Sequence, residues 1–228
     1  MGWTLNGSVD EFLAAARPLL EARPAENTVL LTVSARVASA GANAFGGDPP
    51  LFGWWRADEQ SPVTGAMLVT LPHPLRLSAM PTHAAAQLVG ELPSWPGEVA
   101  GPPPCAQAFA AAWSTLTGGT AITRLEERLY RLGELVVPSV PGRPAIATSD
   151  HRDLLLAWVR IGPVYTPPQW RRHGYGSAVT AAASVDAVAR GATEVLLFAD
   201  VTNPTSNSIY QQLGFRPIAD DVVLALQP

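Results

Sequence analysis

Hydrophobic and polar positions along this chain change their period several times, and each change marks an element. Phe12, Leu13, Ala16, Leu19 and Leu20 recur at helical spacing. Ser8 or Asp10 can cap that helix, and Pro24 ends it. Asn27 opens a second helix, with Leu30, Leu31, Val33, Val37 and Ala38 spread around it. The period then shortens. Residues 51–57, 62–70 and 74–80 read as three short strands, parted by turn residues in 58–62 and 72–74. Pro81 starts a helix through Ala86 and Leu88, and Pro102, Pro103 and Pro104 start another through Phe109 and Trp113. Residues 120–135 alternate imperfectly and fit either a strand or a helix. Thr120, Ile122, Thr123 and Tyr130 favour the pleated surface, so a strand is expected.

Periodicity then fails. Residues 136–145 carry Pro138, Pro141, Gly142 and Pro144, a stiff and extended run of the kind that links domains. The expected division is a domain over 1–137, a linker over 138–144 and a domain over 145–228. Beyond the linker, 145–148 reads as a short strand. Thr148 or Ser149 then caps a helix through Leu154, Leu155, Leu156 and Trp158. That helix runs straight into a strand at Val159 with no turn residue between. Either a segment has been deleted at Trp158–Val159 or residues are missing there, and the second is favoured. The strand holds Val159, Ile161, Val164 and Tyr165. Gly162-Pro163 interrupts it as a bulge, and Pro167-Pro168 ends it. A helix over 174–190, rich in small apolar residues, stops at Gly191. The apolar run 194–201 is a strand covered on both faces. Strand, helix and strand should form a right-handed parallel crossover.

Composition narrows the class. The 228 residues are 47% hydrophobic and 15% charged, which suits a globular fold. A net charge of −4 leaves no basic stripe, so nucleic acid is not an expected partner. Cys105 is the sole cysteine, which excludes a disulfide within the chain and a thiolate metal cluster. No signal peptide or apolar run of about 20 residues is found, so no membrane association and a cytoplasmic location are expected. Chemistry is sparse in the first half. His73 and His83 stand alone in sequence and read as ordinary hydrogen-bonded residues. Trp54 and Trp55 point to opposite faces of one strand. One would serve the core and the other a domain or subunit contact, or else the wall of a substrate pocket. Cys105 reads as an inert thiol at a helix start.

One loop stands out. Arg171, Arg172, His173, Gly174, Tyr175 and Gly176 lie where the 174–190 helix begins. A helix N-terminus offers unpaired N–H groups and the positive end of the dipole, which suits an anion. No Lys-Ser or Lys-Thr pair follows the glycines, so this is not a Walker A loop. Val179 stands where a dinucleotide fingerprint needs Gly or Ala.

Residues 171–176 match the R/Q-x-x-G-x-G/A loop of the GNAT N-acetyltransferase superfamily. Asn203, Tyr210 and Gly214-Phe215 resemble its N-x-x-x-x-x-x-Y-x-x-x-G-F segment. The chain more closely resembles bacterial members with an extra, degenerate N-terminal half. The resemblance implies an α/β (α+β) fold, with a mixed central sheet flanked by helices in a tandem arrangement. It implies acetyl-CoA as acyl donor without a metal. The loop amides over Arg171, Arg172, His173, Gly174, Tyr175, Gly176 and Ser177 would bind the pyrophosphate, with the arginine side chains screening phosphate charge. The backbones of Val164 and Tyr165 would pair with the pantetheine arm. Tyr210 would be the general acid, and Asn203 would bond the cofactor or a water, cap a helix, or both. Many members place a Glu base on the bulged strand, and this strand has none. Asp200 is the nearest substitute, with a turn-forming role equally open.

The acceptor would be an amine, either a small molecule or a protein N-terminus or lysine, and a homodimer is an allowed assembly. The resemblance also implies strands and a second helix that are absent at Trp158–Val159. A non-catalytic acyl-CoA-binding or regulatory protein is the alternative function.

Overall fold

The computed structural model describes residues 2–140 and 166–228. The expected 145–148 strand, the 149–158 helix, the bulged strand with Val164 and Tyr165, and the 158/159 junction lie outside them. The described residues form two compact units, 1–127 with 219–228, and 128–218. Most of the expected 138–144 linker lies outside the described residues, and the division at 127/128 falls inside a long strand. The last ten residues join the first unit.

In the first unit, β1 (Gly2–Asn6) precedes α1 (Val9–Ala22) and α2 (Thr28–Ala40). Ser8 caps α1 by accepting from the Glu11 amide, as the sequence predicts. Asn27 stands at the start of α2 without capping it. It is buried, and its Nδ2 donates to the Leu20 carbonyl at 3.2 Å, tying the two helices together. Then come β2 (Leu51–Arg56), β3 (Val63–Val69), β4 (Leu75–Leu77), α3 (Thr82–Glu91), β5 (Glu98–Gly101) and α4 (Pro103–Thr117). β6 (Thr120–Leu132) and β8 (Phe215–Gln227) contribute segments to both units. The strand order here is β1-β2-β3-β4-β5-β8-β6. β4 and β5 pair in parallel across α3, while β1–β2, β2–β3, β3–β4 and β5–β8 are antiparallel. The sheet is therefore mixed, as the resemblance implied.

Each face of this sheet has its own core. On one, Phe12, Ala16 and Leu20 of α1 and Leu30 of α2 pack on Phe52, Trp54 and Leu68, with Phe12 stacked on Phe52 at 5.1 Å. On the other, Leu88 of α3 and Phe109 and Trp113 of α4 pack on Met67, Leu77, Val99 and Leu224. Trp54 and Trp55 point to opposite faces, and both are buried in this unit. Trp55 donates to Gln87 Oε1 at 3.2 Å and meets His83 edge to face. His73 meets Phe45 in the same manner. The Cys105 thiol is buried beside the Met80 carbonyl at 3.4 Å, and burial pushes its pKa up, which disfavours thiolate chemistry.

In the second unit, a 3₁₀ turn (Pro168–Trp170) leads to α5 (Tyr175–Ala189), β7 (Leu196–Asp200) and α6 (Pro204–Gln212). Strand order here is β8-β6-β7. The core gathers Tyr130, Ala181, Ala199, Tyr210, Leu213 and Phe215. α5 turns Thr180, Ala181 and Ser184 inward, so its closest contacts use small residues. Ser184 Oγ and Thr180 Oγ1 each donate to a carbonyl one turn back, which satisfies them without outside partners.

Candidate functional site

The loop before α5 is shaped by two residues with positive φ. Arg172 has φ 66° and Gly174 has φ 77°. A left-handed conformation costs a non-glycine residue about 1–3 kcal/mol, and such residues cluster at ligand sites. At Gly174 the space is closed as well, since a Cβ would lie 2.6 Å from Val140 Cγ1. Glycine is required there twice over. Gly174 is the N-cap of α5 but has no side chain to cap with, and no acidic residue stands in the first turn. The first helical bond runs from the Ala178 amide to the Gly174 carbonyl. The amides of Tyr175, Gly176 and Ser177 therefore have no intrahelical acceptor.

These three residues line a cleft of about 540 Å³. Arg171, Arg172, Gly174, Tyr175, Gly176 and Ser177 line one side of it, and Asn203, Thr205, Ser206 and Ile209 of the α6 start line the other. Thr166 and Trp170 also line it, and none of these described residues is acidic. Seven sequence-predicted residues thus share one cleft. Thr166, Trp170, Thr205, Ser206 and Ile209 were not foreseen as site residues, although the polar run at the start of α6 was a signal for two of them.

The loop is internally braced. Arg171 Nε donates to the Thr166 carbonyl at 3.0 Å. His173 Nδ1 donates to the Arg171 carbonyl at 2.7 Å, and its ring stacks on Tyr175 with centroids 5.8 Å apart. His173 does not line the cleft; it holds the loop. Trp170 meets Tyr175 edge to face at 6.5 Å.

Asn203 caps α6. Its Oδ1 accepts from the Ser206 amide at 3.1 Å, and Pro204 occupies the first helical turn. Asp200 ends β7. Its Oδ1 accepts from the Thr202 amide at 2.7 Å and from Thr202 Oγ1 at 2.6 Å. That oxygen shapes the turn, and Asp200 is not among the residues that line the cleft. Tyr210 is also set back from the lining. It is 6% exposed, lies 6.3 Å from Tyr130 and 6.1 Å from Phe215 between ring centroids, and burial raises its pKa. Its hydroxyl has no hydrogen-bond partner among the described residues. No group of three or more His, Cys, Asp or Glu side chains suited to a metal occurs among the described residues. No described helix is long and apolar enough to cross a membrane.

Comparison with known proteins agrees with this architecture. Residues 155–224 match the family model described as FR47-like protein. A Drosophila protein of known structure superposes with a TM-score of 0.68 at 13% identity, covering 95% of each chain. A GCN5-related N-acetyltransferase from Sphaerobacter thermophilus superposes with a TM-score of 0.51 at 12% identity, covering 97% of this chain and 94% of its own. No curated protein sequence matches the chain.

Proposed function

We propose that this chain, which carries the fold of the GNAT superfamily, is an N-acetyltransferase that moves an acetyl group from acetyl-CoA to a primary amine. The observation that best supports this is the α5 cleft, which is lined by the uncapped start of α5 and by two arginines. A pyrophosphate placed there meets three or more N–H donors and the helix dipole, equivalent to about half a positive charge. Arg171 and Arg172 supply charge-assisted bonds to phosphate oxygens. The backbones of Val164 and Tyr165 are assigned to the pantetheine arm and to polarising the thioester carbonyl.

In the transfer itself, the amine nitrogen attacks the thioester carbonyl carbon. A C–N bond forms and the C–S bond breaks. The departing thiolate takes the Tyr210 hydroxyl proton, and the amine gives up its own to a base. The free Oδ2 of Asp200, or a water chain to solvent, serves as that base. Acceptors of this type include small amines, protein N-termini and lysines. The protein is assigned to the cytoplasm, and neither nucleic acid nor a membrane is assigned as a partner.

A second reading, a non-catalytic acyl-CoA-binding protein, is favoured by one observation. Thr202 occupies an Asp200 oxygen, which weakens the case for a built-in base. Two measurements test these readings, and the second separates them. Acetyl-CoA at a hundredfold excess over its Kd should stabilise the protein by about 2.7 kcal/mol in a thermal melt, while ATP and NAD should not. Thiol release over a panel of amines should then exceed hydrolysis if the protein is an enzyme. No thermal shift with acetyl-CoA would sink both readings.

A further inference from the structure

The first unit holds a second cavity that acyl transfer in the α5 cleft does not use. Strand register sets its floor. Leu68 on β3 stands opposite Arg76 on β4, Arg76 opposite Ala100 on β5, and Ala100 opposite Val223 on β8. Directly paired residues face the same side of a sheet, so these four side chains form one row. Ala100 is the shortest and leaves a dip between Arg76 and Val223. Val29 and Val33, one helical turn apart on α2, wall this dip. Phe45 and His73, edge to face at 5.9 Å, complete it. The cavity measures about 280 Å³ and is mostly apolar.

The polar part of the floor is unusual. Arg76 Nη1 and Nη2 donate to Asp221 Oδ1 and Oδ2 at 2.8 and 2.5 Å. The two side chains are only 12% and 7% exposed. Their charges cancel, yet the guanidinium has five N–H donors and Asp221 occupies two. A neutral acceptor could use a remaining donor without breaking the pair. A carboxylate would compete with Asp221, and a cation would compete with Arg76, each leaving a buried charge short of its partner.

We propose that this cavity binds a small uncharged molecule, namely a single ring or branched alkyl group whose short substituent ends in a hydrogen-bond acceptor directed at Arg76. Its volume is larger than the ~150 Å³ engineered cavity that holds benzene, which leaves room for the substituent. The site lies wholly in the first unit and does not depend on the acyltransferase reading.

The test titrates the full chain with benzyl alcohol and benzamide, and with benzoate and benzylamine as charged counterparts, by ligand-detected and amide-shift NMR. Both neutral probes should bind, at least tenfold tighter than the charged ones, and should move the amides of Arg76, Ala100 and Val223. Ala100→Leu fills the dip and Val33→Trp fills it from the α2 wall. Either variant, once its circular dichroism shows a folded protein, should abolish binding. The proposal is overturned if neither neutral probe binds, if benzoate binds as tightly as benzyl alcohol, or if binding persists in a folded variant. Shift changes confined to residues outside the cavity in the unmodified chain would also overturn it, whether or not the variants fold.

Discussion

The Tyr130 hydroxyl donates to Asn207 Oδ1 at 2.8 Å, joining β6 to α6 inside the core of the second unit. Asn207 Nδ2 reaches the carbonyls of Asp200 and Asn203 at 2.8 and 2.7 Å. One amide thus satisfies a fully buried tyrosine and closes the turn that carries Asn203 into the cleft. Asn207→Ala strips all three bonds and leaves Tyr130 without its acceptor. It should cost about 2–3 kcal/mol in urea unfolding. Combined with Tyr130→Phe, the loss should fall short of the sum, because the two changes remove the same bond. Strict additivity would show that the bond contributes nothing.

Gly214 begins the Gly-Phe pair of the sequence motif, and its role is steric. Its φ is 99°, and a Cβ there would strike the Glu134 carbonyl. The Gly133 amide donates to the Gly214 carbonyl at 3.0 Å, and the Val136 amide to the Leu213 carbonyl at 3.0 Å. Gly214→Ala must therefore strain its own backbone and push the 133–136 segment away. A loss of about 2 kcal/mol or more is expected in chemical denaturation, beyond the ordinary cost of a left-handed alanine. A variant as stable as the parent would show that the segment yields freely.

Long periodic elements were legible in the sequence. Both N-terminal helices, β2, β3, α3 to α5 and β7 appear close to their expected bounds, β4 keeps only three residues of the expected 74–80, and the uncertain 120–135 run is a strand over Thr120–Leu132. What escaped notice was short or interrupted. β1 is five residues with two large apolar side chains, Trp3 and Leu5, too few for a period to register. β5 is four residues between Pro96 and Pro102, and its neighbours set its conformation. β8 carries Pro217 and the acidic pair Asp220 and Asp221, which break the alternation. Asp221 only makes sense once Arg76 is brought beside it from 145 residues away. The motif residues of the cleft were readable because adjacent positions act together through a helix start. Tyr130 was visible only as a strand former, since its partner Asn207 is 77 residues distant.

Asp221 gives a prediction in pH. Burial raises its pKa above 3.8, and Arg76 pulls it only partly back. The unfolded carboxyl therefore ionises first as pH rises. From about 3.8 up to the raised folded pKa, this group's contribution to stability falls, and above that it is flat. Asp221→Asn removes that slope, so the difference between parent and variant unfolding energies should drift against the parent across this window. Asp221→Ala is harsher, because it leaves Arg76 buried without its anion. A loss of about 3–5 kcal/mol is expected at neutral pH. Urea titrations at several pH values measure both. A parent that gains stability relative to Asp221→Asn through the window would show that Arg76 outweighs burial.

Tyr210 separates a packing role from a proton-donor role. Burial lifts its pKa above 10, so the hydroxyl stays protonated through the working range and cannot act as a base there. As a donor it would give an acetyl-transfer rate with no alkaline fall below about pH 9. Tyr210→Phe keeps the ring that packs beside Tyr130 and Phe215 but removes the proton. It should lower kcat by about 10²-fold or more. The KM for acetyl-CoA should stay close to the parent value, since Tyr210 does not line the α5 cleft. Stability, unlike the rate, should fall at alkaline pH. Unfolded tyrosine ionises near 10 and the buried one later, so the parent should lose stability above pH 10 faster than the variant. A variant that keeps the parent's kcat and pH profile while changing only this alkaline stability would confine Tyr210 to the core.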